Sequence, residues 1–67
     1  MNAIEYRAAL ETLGLSQLAA GRWLGVSPKT AQNYATTGPS GPAARAIGML
    51  LDMSPSARDR ALGRPPP

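Results

Sequence analysis

The chain has 67 residues, with seven basic and four acidic side chains, no cysteine and no histidine. A chain of this length forms one domain and buries only about 60% of its unfolded surface, so its stability is marginal unless something such as dimerisation adds to it. Without cysteine or histidine, disulfides and zinc modules are excluded, and we expect no metal and no cofactor. The usual general base and best nucleophile are missing too, and the carboxylates have no paired spacing, so we expect no enzyme activity.

The charge balance favours a polyanionic partner. The formal net charge is +3 and the pI about 10.2, values that suit nucleic acid. No apolar run approaches the length of about 18 residues that spans a bilayer, and residues 1–5 lack the basic start and apolar stretch of a signal peptide. We therefore expect a cytoplasmic protein with no membrane partner.

The first predicted helix covers residues 3–13. Asn2 and Glu5 have the spacing of a capping box, in which each side chain bonds the other residue's backbone amide. Apolar side chains then recur at helical spacing until a glycine interrupts them, at Tyr6, Leu10, Leu13 and Gly14. The apolar stripe indicates the side of this helix that lies over the rest of the domain.

Two further helices are predicted directly afterwards, at residues 17–24 and 28–35. Ser16 and Ser27 stand where N-cap oxygens accept the first free amides of a helix. Between the helices Gly25 supplies the positive φ that ends the first one, and the valine after it is placed to fill the corner. Such a turn sets two helices at a steep angle, as a helix-turn-helix requires. The inward side chains expected on the first of these helices are Leu18, Ala19 or Ala20, and Leu24.

A loop and a fourth helix complete the predicted core. Residues 37–42 are dense in turn formers, so we expect a loop there and a helix that Pro42 opens and that ends at about residue 53. This helix is more apolar than one core face demands. Its core stripe is predicted at Ala43, Ile47, Leu50 and Leu51. Its second stripe is a candidate dimer interface, formed by Ala46, Met49 and Met53.

The C-terminal part is predicted to hold a fifth, short helix and a tail. Ser54 and Pro55 have the pattern of a helix start, and Gly63 stops the helix. Residues 64–67 are predicted to be an extended, mobile, proline-rich tail. We therefore expect a single all-α domain over residues 1–63, a compact bundle of four to five short helices.

The central segment carries a family resemblance. The residues that carry it are a small residue, a glycine, an apolar residue and an aromatic, at Gly21, Gly25, Val26 and Tyr34. With them, residues 17–36 resemble the helix-turn-helix of phage Cro and repressor proteins, the XRE family, and the resemblance covers roughly residues 13–51. It implies a lambda-repressor-like DNA-binding domain. Two departures are Gly21, where the family usually has alanine, and Ala31, where it prefers valine or isoleucine.

The resemblance implies a set of DNA contacts. In this docking mode the helix of residues 28–35 enters the major groove and the helix before it spans the phosphate backbone. Amine, amide and hydroxyl groups that bind base edges are then expected on Lys29, Thr30, Gln32 and Asn33. Phosphate contacts are expected around them, from Ser16, Gln17, Arg22, Ser27, Thr36 and Arg45, with Thr37 a weaker candidate.

Each of these residues also has an ordinary structural interpretation. Gln32 fits a solvated helix face equally well, Arg22 and Arg45 fit plain surface charges, and the serines suit capping. Trp23 falls beside the apolar stripe, and packing against the first or fourth helix explains it better than stacking on nucleic acid. Tyr34 is expected in the core, with its hydroxyl at the rim.

Two functional hypotheses follow. The first is a small prokaryotic or phage transcriptional regulator, nucleoid-associated, with double-stranded DNA as its partner and no small-molecule effector. It would act as a repressor that binds an inverted repeat as a homodimer, because one recognition helix reads only a few base pairs. The alternative is a protein-interaction module, antitoxin-like or polymerase-binding, that uses the apolar face of the helix at residues 42–53.

Overall fold

The computed structural model describes residues 1–64, and within that range the chain is all-α. Its five helices are α1 (Ala3–Leu13), α2 (Gln17–Leu24), α3 (Pro28–Thr37), α4 (Gly41–Asp52) and α5 (Pro55–Ala61). The predicted fold class, a small helical bundle, is confirmed. No helix in the described part of the chain is both long and apolar enough to cross a membrane. The last three residues of the predicted tail lie outside the described residues.

Side-chain caps start all five helices. The predicted capping box of α1 is present: Asn2 Oδ1 accepts from the Glu5 amide at 2.8 Å, and Glu5 Oε1 accepts from the Asn2 amide at 2.9 Å. The other four helices begin after serines whose Oγ accepts the amide three residues later, namely Ser16, Ser27, Ser40 and Ser54. Each such cap contributes about 1 kcal/mol, which matters for helices this short.

The predicted loop at residues 37–42 is shorter than expected. Helix α3 continues through Thr37, and the Gly38 amide closes it by donating to the Tyr34 carbonyl at 3.0 Å. The hydroxyls of Thr36 and Thr37 donate to backbone carbonyls four residues earlier, at 3.0 and 2.9 Å. Helix α4 begins at Gly41, after the cap of Ser40. A proline in the first turn of a helix needs no amide partner, so Pro42 fits inside the helix as well as at its start.

Helices α2 and α3 make a close contact at Gly21 and Ala31. Ala31 is 1% exposed, and a Cβ on Gly21 would overlap the methyl of Ala31. The turn between them ends α2 at Gly25, whose φ is 78°, and the Val26 amide donates to the Gly21 carbonyl at 2.9 Å. The two departures from the family pattern therefore meet at one point, where two small residues let the backbones approach.

The core is built around α1, with Tyr6 at its centre. Its fully or nearly buried members are Tyr6, Ala9, Leu10, Leu13, Ala20, Ala35, Ile47 and Leu50. Tyr34 packs against them with its ring edge-on to Tyr6, the centroids 6.1 Å apart. Its hydroxyl lies 3.2 Å from Ser40 Oγ at the rim, so the position predicted for Tyr34 is confirmed.

The expectation for Leu18 is wrong. Its side chain is 44% exposed, whereas Ala20 is fully buried. Residues two positions apart lie about 200° apart around a helix, so these two cannot both face the core. Helix α2 buries Ala20 and Gly21 instead, with Leu24 partly buried beside them.

Trp23 has a partner that the sequence did not indicate, and the expectation for Arg64 needs correction. Trp23 is 37% exposed, but its indole Nε1 donates to the carbonyl of Ala61 in α5 at 3.0 Å, so its hydrogen-bond partner is neither α1 nor α4. Arg64, expected in a mobile tail, donates instead to the carbonyls of Leu13 and Gly14. Helix periodicity carries no information about such contacts between residues far apart in the chain.

The Gly21 contact predicts an unusual response to alanine. Alanine in a helix interior is normally about 1 kcal/mol more favourable than glycine, yet Gly21→Ala should lower the free energy of unfolding by about 1 to 3 kcal/mol, because its methyl overlaps Ala31. The matched control is Gly48→Ala in α4, where a Cβ meets nothing within 4 Å. Thermal and urea unfolding of both variants would measure this. Stabilisation by both substitutions would contradict the close contact.

The Tyr6 hydroxyl predicts a second stability effect. It is buried without a hydrogen-bond partner among the described residues, so Tyr6→Phe should raise the free energy of unfolding by about 1 kcal/mol. Burial, and then the charge of Tyr34, raise the pKa of Tyr6. The folded state favours the neutral hydroxyl of Tyr6. The contribution of this preference to the free energy of unfolding is therefore complete below the unfolded pKa of about 10, and it is lost as pH rises through the folded pKa.

Urea unfolding between pH 8 and 11 tests both parts of this prediction. As pH rises over this range, the free energy of unfolding should fall less for Tyr6→Phe than for the parent, because the variant has no Tyr6 hydroxyl to ionise. The matched variant Tyr34→Phe, which gives up a hydrogen bond to Ser40, should be no more stable than the parent. A Tyr6→Phe protein that is less stable than Tyr34→Phe would show that the Tyr6 hydroxyl has a partner.

Candidate nucleic-acid interface

Helix α3 divides into a buried face and an exposed polar face. Ala31 and Ala35 are 1% and 3% exposed and hold the helix to the domain. Four of the exposed side chains recur at spacings of three and four residues, which places them along one stripe: Lys29, Gln32, Asn33 and Thr36. Three of the four predicted base contacts thus share one surface, hereafter the α3 stripe, together with one predicted phosphate contact.

Thr30, the fourth predicted base contact, lies beside the α3 stripe and is partly buried. Its Oγ1 accepts a hydrogen bond from Ser27 Oγ at 3.0 Å, and its amide donates back to the same Ser27 oxygen at 3.2 Å. The capping serine holds this hydroxyl at the N-terminus of α3. Thr30 therefore borders the stripe, with its hydroxyl proton still available to an acceptor.

Internal hydrogen bonds limit two of the predicted phosphate contacts. A phosphate oxygen only accepts hydrogen bonds, so a hydroxyl must donate its proton to bind one. Ser27 already donates to Thr30, and Thr36 donates to the Gln32 carbonyl. Ser16 differs, because its Oγ accepts from the Ala19 amide at 3.0 Å, an arrangement that leaves its own proton for another partner. Ser27 and Thr36 would have to exchange an internal bond for a phosphate.

An open cleft of about 190 Å³ separates the N-terminal ends of α2 and α3. Its lining consists of Gln17, Leu18, Pro28, Ala31 and Gln32. The fold thus brings two amide side chains that are far apart in the chain to one cleft. It also places the exposed Leu18 between them, a residue that the sequence assigned to the core. Periodicity alone did not show whether Leu18 or Ala20 faces the core, because the packing of α3 on Gly21 decides which side of α2 remains open.

The charge distribution separates this region from the rest of the domain. All four carboxylates of the chain lie outside residues 12–51, two of them in α1 and one each at the end of α4 and in α5. The charged side chains between those limits are Arg22, Lys29 and Arg45, and all three are exposed. No carboxylate on α2 or α3 would repel a phosphate, although the excess of positive charge is small.

The predicted dimer face of α4 is divided by the fold. Met49 is 58% exposed and lies with Ala46 in an open concavity that Pro42 and Arg45 complete. Met53 does not share this surface, because α4 ends at the residue before it and its side chain packs against the core cluster. The exposed apolar surface on α4 is therefore smaller than the sequence indicates, because it keeps Ala46 and Met49 and loses Met53.

No protein-family model matches the chain, and neither curated proteins nor solved structures give a significant match. The resemblance to the XRE family therefore rests on the residues of this chain alone.

Proposed function

We propose that the protein is a DNA-binding transcriptional regulator that reads double-stranded DNA in a sequence-specific manner with α3. The α3 stripe is the observation that carries this proposal. It presents an amine, two amides and a hydroxyl on one exposed face of a helix whose other face is buried. The major groove is about 12 Å wide and admits one α-helix, and these groups are the ones that bind base edges there.

Residue chemistry supports separate roles within the stripe. The amide of Asn33 suits the N6 and N7 edge of adenine, and the amine of Lys29 suits the O6 and N7 edge of guanine. Gln32 faces the cleft that Gln17 also lines, so one of these amides would contact the backbone while the other reaches toward a base. Ser16 and Gln17 can donate a hydrogen bond to a phosphate without breaking a bond inside the protein. They are therefore better donors to phosphate than Ser27 or Thr36, whose hydroxyls already donate internally.

The small size of the domain supports binding as a dimer. One recognition helix covers only a few base pairs, and two half-sites about one helical turn apart multiply the discrimination. The exposed concavity around Met49 is the apolar surface that we assign to the contact between two copies. We infer a repressor of the prokaryotic or phage type acting on an inverted repeat, as the family resemblance implies.

Selection of binding sites from a random duplex library tests this function. We expect a palindromic consensus whose affinity falls steeply with salt, because lysine and arginine contacts release counterions from DNA. Failure to enrich any sequence, or binding that does not depend on salt, would contradict the proposal.

Substitutions in the α3 stripe should separate base contacts from general attraction. On the selected site, Lys29→Ala and Asn33→Ala should each weaken binding by about 1 to 3 kcal/mol and relax the preference at one base position. Arg7→Ala removes a charge from an exposed residue of α1 and should leave the preference at every position unchanged. Fluorescence anisotropy on single-base variants of the site measures both effects. Equal losses for Lys29→Ala and Arg7→Ala, with no change in preference, would indicate attraction by charge alone.

The proposed dimer surface makes its own prediction. Met49→Gln should shift sedimentation equilibrium toward the monomer and weaken binding to the palindrome more than to a single half-site, because apolar burial between the copies is lost. Ile4→Gln is the matched control: Ile4 is 70% exposed on α1, away from the α4 concavity. Equal dimerisation of both variants would place the contact elsewhere.

A protein-interaction module is the second candidate function, favoured by the exposure of Met49 in the same concavity. Reversing the charges of Lys29 and Arg22 distinguishes the two functions. It should abolish DNA binding under the first and leave capture of a protein partner through α4 intact under the second.

A further inference from the structure

Helix α5 is attached to the domain by polar contacts more than by apolar burial. None of its seven residues is buried, and Leu62 just beyond it is only partly buried against the core. A helix of this length is unstable by itself in water. Residues 55–64, hereafter the C-terminal strap, must therefore be held by other means, and three side chains provide hydrogen bonds to helix-end carbonyls.

Arg58 ties the strap to the end of α4. Its Nε donates to the carbonyl of Leu50 and its Nη2 to the carbonyl of Leu51, both at 3.1 Å. Helix α4 has no basic residue in its own last turn. The last carbonyls of a helix lack amide partners within the helix and carry partial negative charge. The Arg58 guanidinium donates hydrogen bonds to two of these carbonyls and places its positive charge beside them.

Arg64 makes the corresponding contact at the end of α1. Its Nη2 donates to the Leu13 carbonyl at 2.7 Å and to the Gly14 carbonyl at 3.1 Å, and Asp59 lies 3.8 Å from its Nη1. Helix α1 also has no basic residue in its last turn. Two helices that lack their own C-terminal cation thus both receive one from the strap.

Trp23 supplies the third tie, in the opposite direction. Its indole Nε1, on α2, donates to the carbonyl of Ala61 at the end of α5. The strap is therefore bonded to α1, α2 and α4, but it has no side-chain hydrogen bond to α3 among the described residues.

We propose that the C-terminal strap is a latch that opens as one unit while α1 to α4 stay folded. Opening breaks the Arg58, Arg64 and Trp23 ties and leaves the core residues deeper in α1 and α4 covered. It uncovers the partly buried Leu62 and frees two guanidinium groups. This inference rests on the hydrogen bonds and burial of residues 1–64 and does not depend on DNA binding.

Amide hydrogen exchange measured by NMR tests the latch. In the unmodified protein, the amides of Arg58, Leu62 and Arg64, which donate to the carbonyls of Ser54, Arg58 and Asp59, should exchange at least about tenfold faster than the amides of Leu10 and Ile47 in the core. Equal protection at the two sets of amides would overturn the proposal, because the strap would then open only when the whole domain unfolds.

Arginine variants identify the ties. Arg58→Gln and Arg64→Gln should each speed exchange of the strap amides by about tenfold and leave the core amides unchanged, because a charged hydrogen bond is lost. Arg60→Gln is the matched control: its side chain is exposed and makes no hydrogen bond or ion pair to any residue from 1 to 64. Trp23→Phe, which keeps an aromatic ring and removes the donor, should also speed exchange of the strap. The same response to Arg60→Gln as to Arg64→Gln, or acceleration of core and strap amides alike, would contradict the latch.

Discussion

The contact between Gly21 and Ala31 determines how α2 and α3 meet, and the candidate interface depends on it. Overlap of an added methyl with Ala31 means that the two backbones are already as close as side chains permit. That approach buries one face of α3 and so leaves the opposite stripe exposed. It also leaves Leu18 outside, at the open end of the cleft. Packing density in protein interiors makes such contacts sensitive to single methyl groups.

Serine has a repeated structural role in this chain. Four helices begin at a serine whose oxygen accepts a backbone amide. Two of these serines, Ser16 and Ser27, were also candidates for phosphate contacts, and their hydrogen bonds show why the two roles differ. Capping uses the oxygen as an acceptor, whereas phosphate binding needs the proton. The Ser27 hydroxyl donates a hydrogen bond to Thr30, whereas the Ser16 hydroxyl donates none to any residue from 1 to 64.

Arginine is used differently at the two ends of the molecule. Arg22 on α2 and Arg45 on α4 are exposed, and Arg45 also lines the concavity around Met49. Arg58 and Arg64 instead bond helix-end carbonyls, where the negative end of the helix dipole stabilises a cation. Only part of the net positive charge is thus free to attract a polyanion. Residues 12–51 contain no carboxylate side chain, so no negative side-chain charge in that segment opposes the attraction.

Local chemistry in the sequence determined the helices, their caps and the turn at Gly25. Asn2 with Glu5, the capping serines and the apolar spacing of α1 act between residues at most a few positions apart, so they can be recognised without the fold. The polar composition of α3 likewise follows from its residues. Its end does not: α3 runs two residues beyond the predicted boundary, to Thr37, and closes with the Gly38 amide bonded to the Tyr34 carbonyl.

Tertiary structure alone decided which sides of these helices are covered. The exposure of Leu18, the separation of Met53 from Met49, and the cleft that Gln17 and Gln32 share all depend on where a second helix packs. The hydrogen bonds of Trp23 and Arg64 join residues that are distant in the chain, and helical periodicity cannot predict contacts between such residues. Sequence therefore determined the elements and their chemistry, because these arise from local interactions. Packing between helices determined the surfaces, since it depends on contacts that no local pattern specifies.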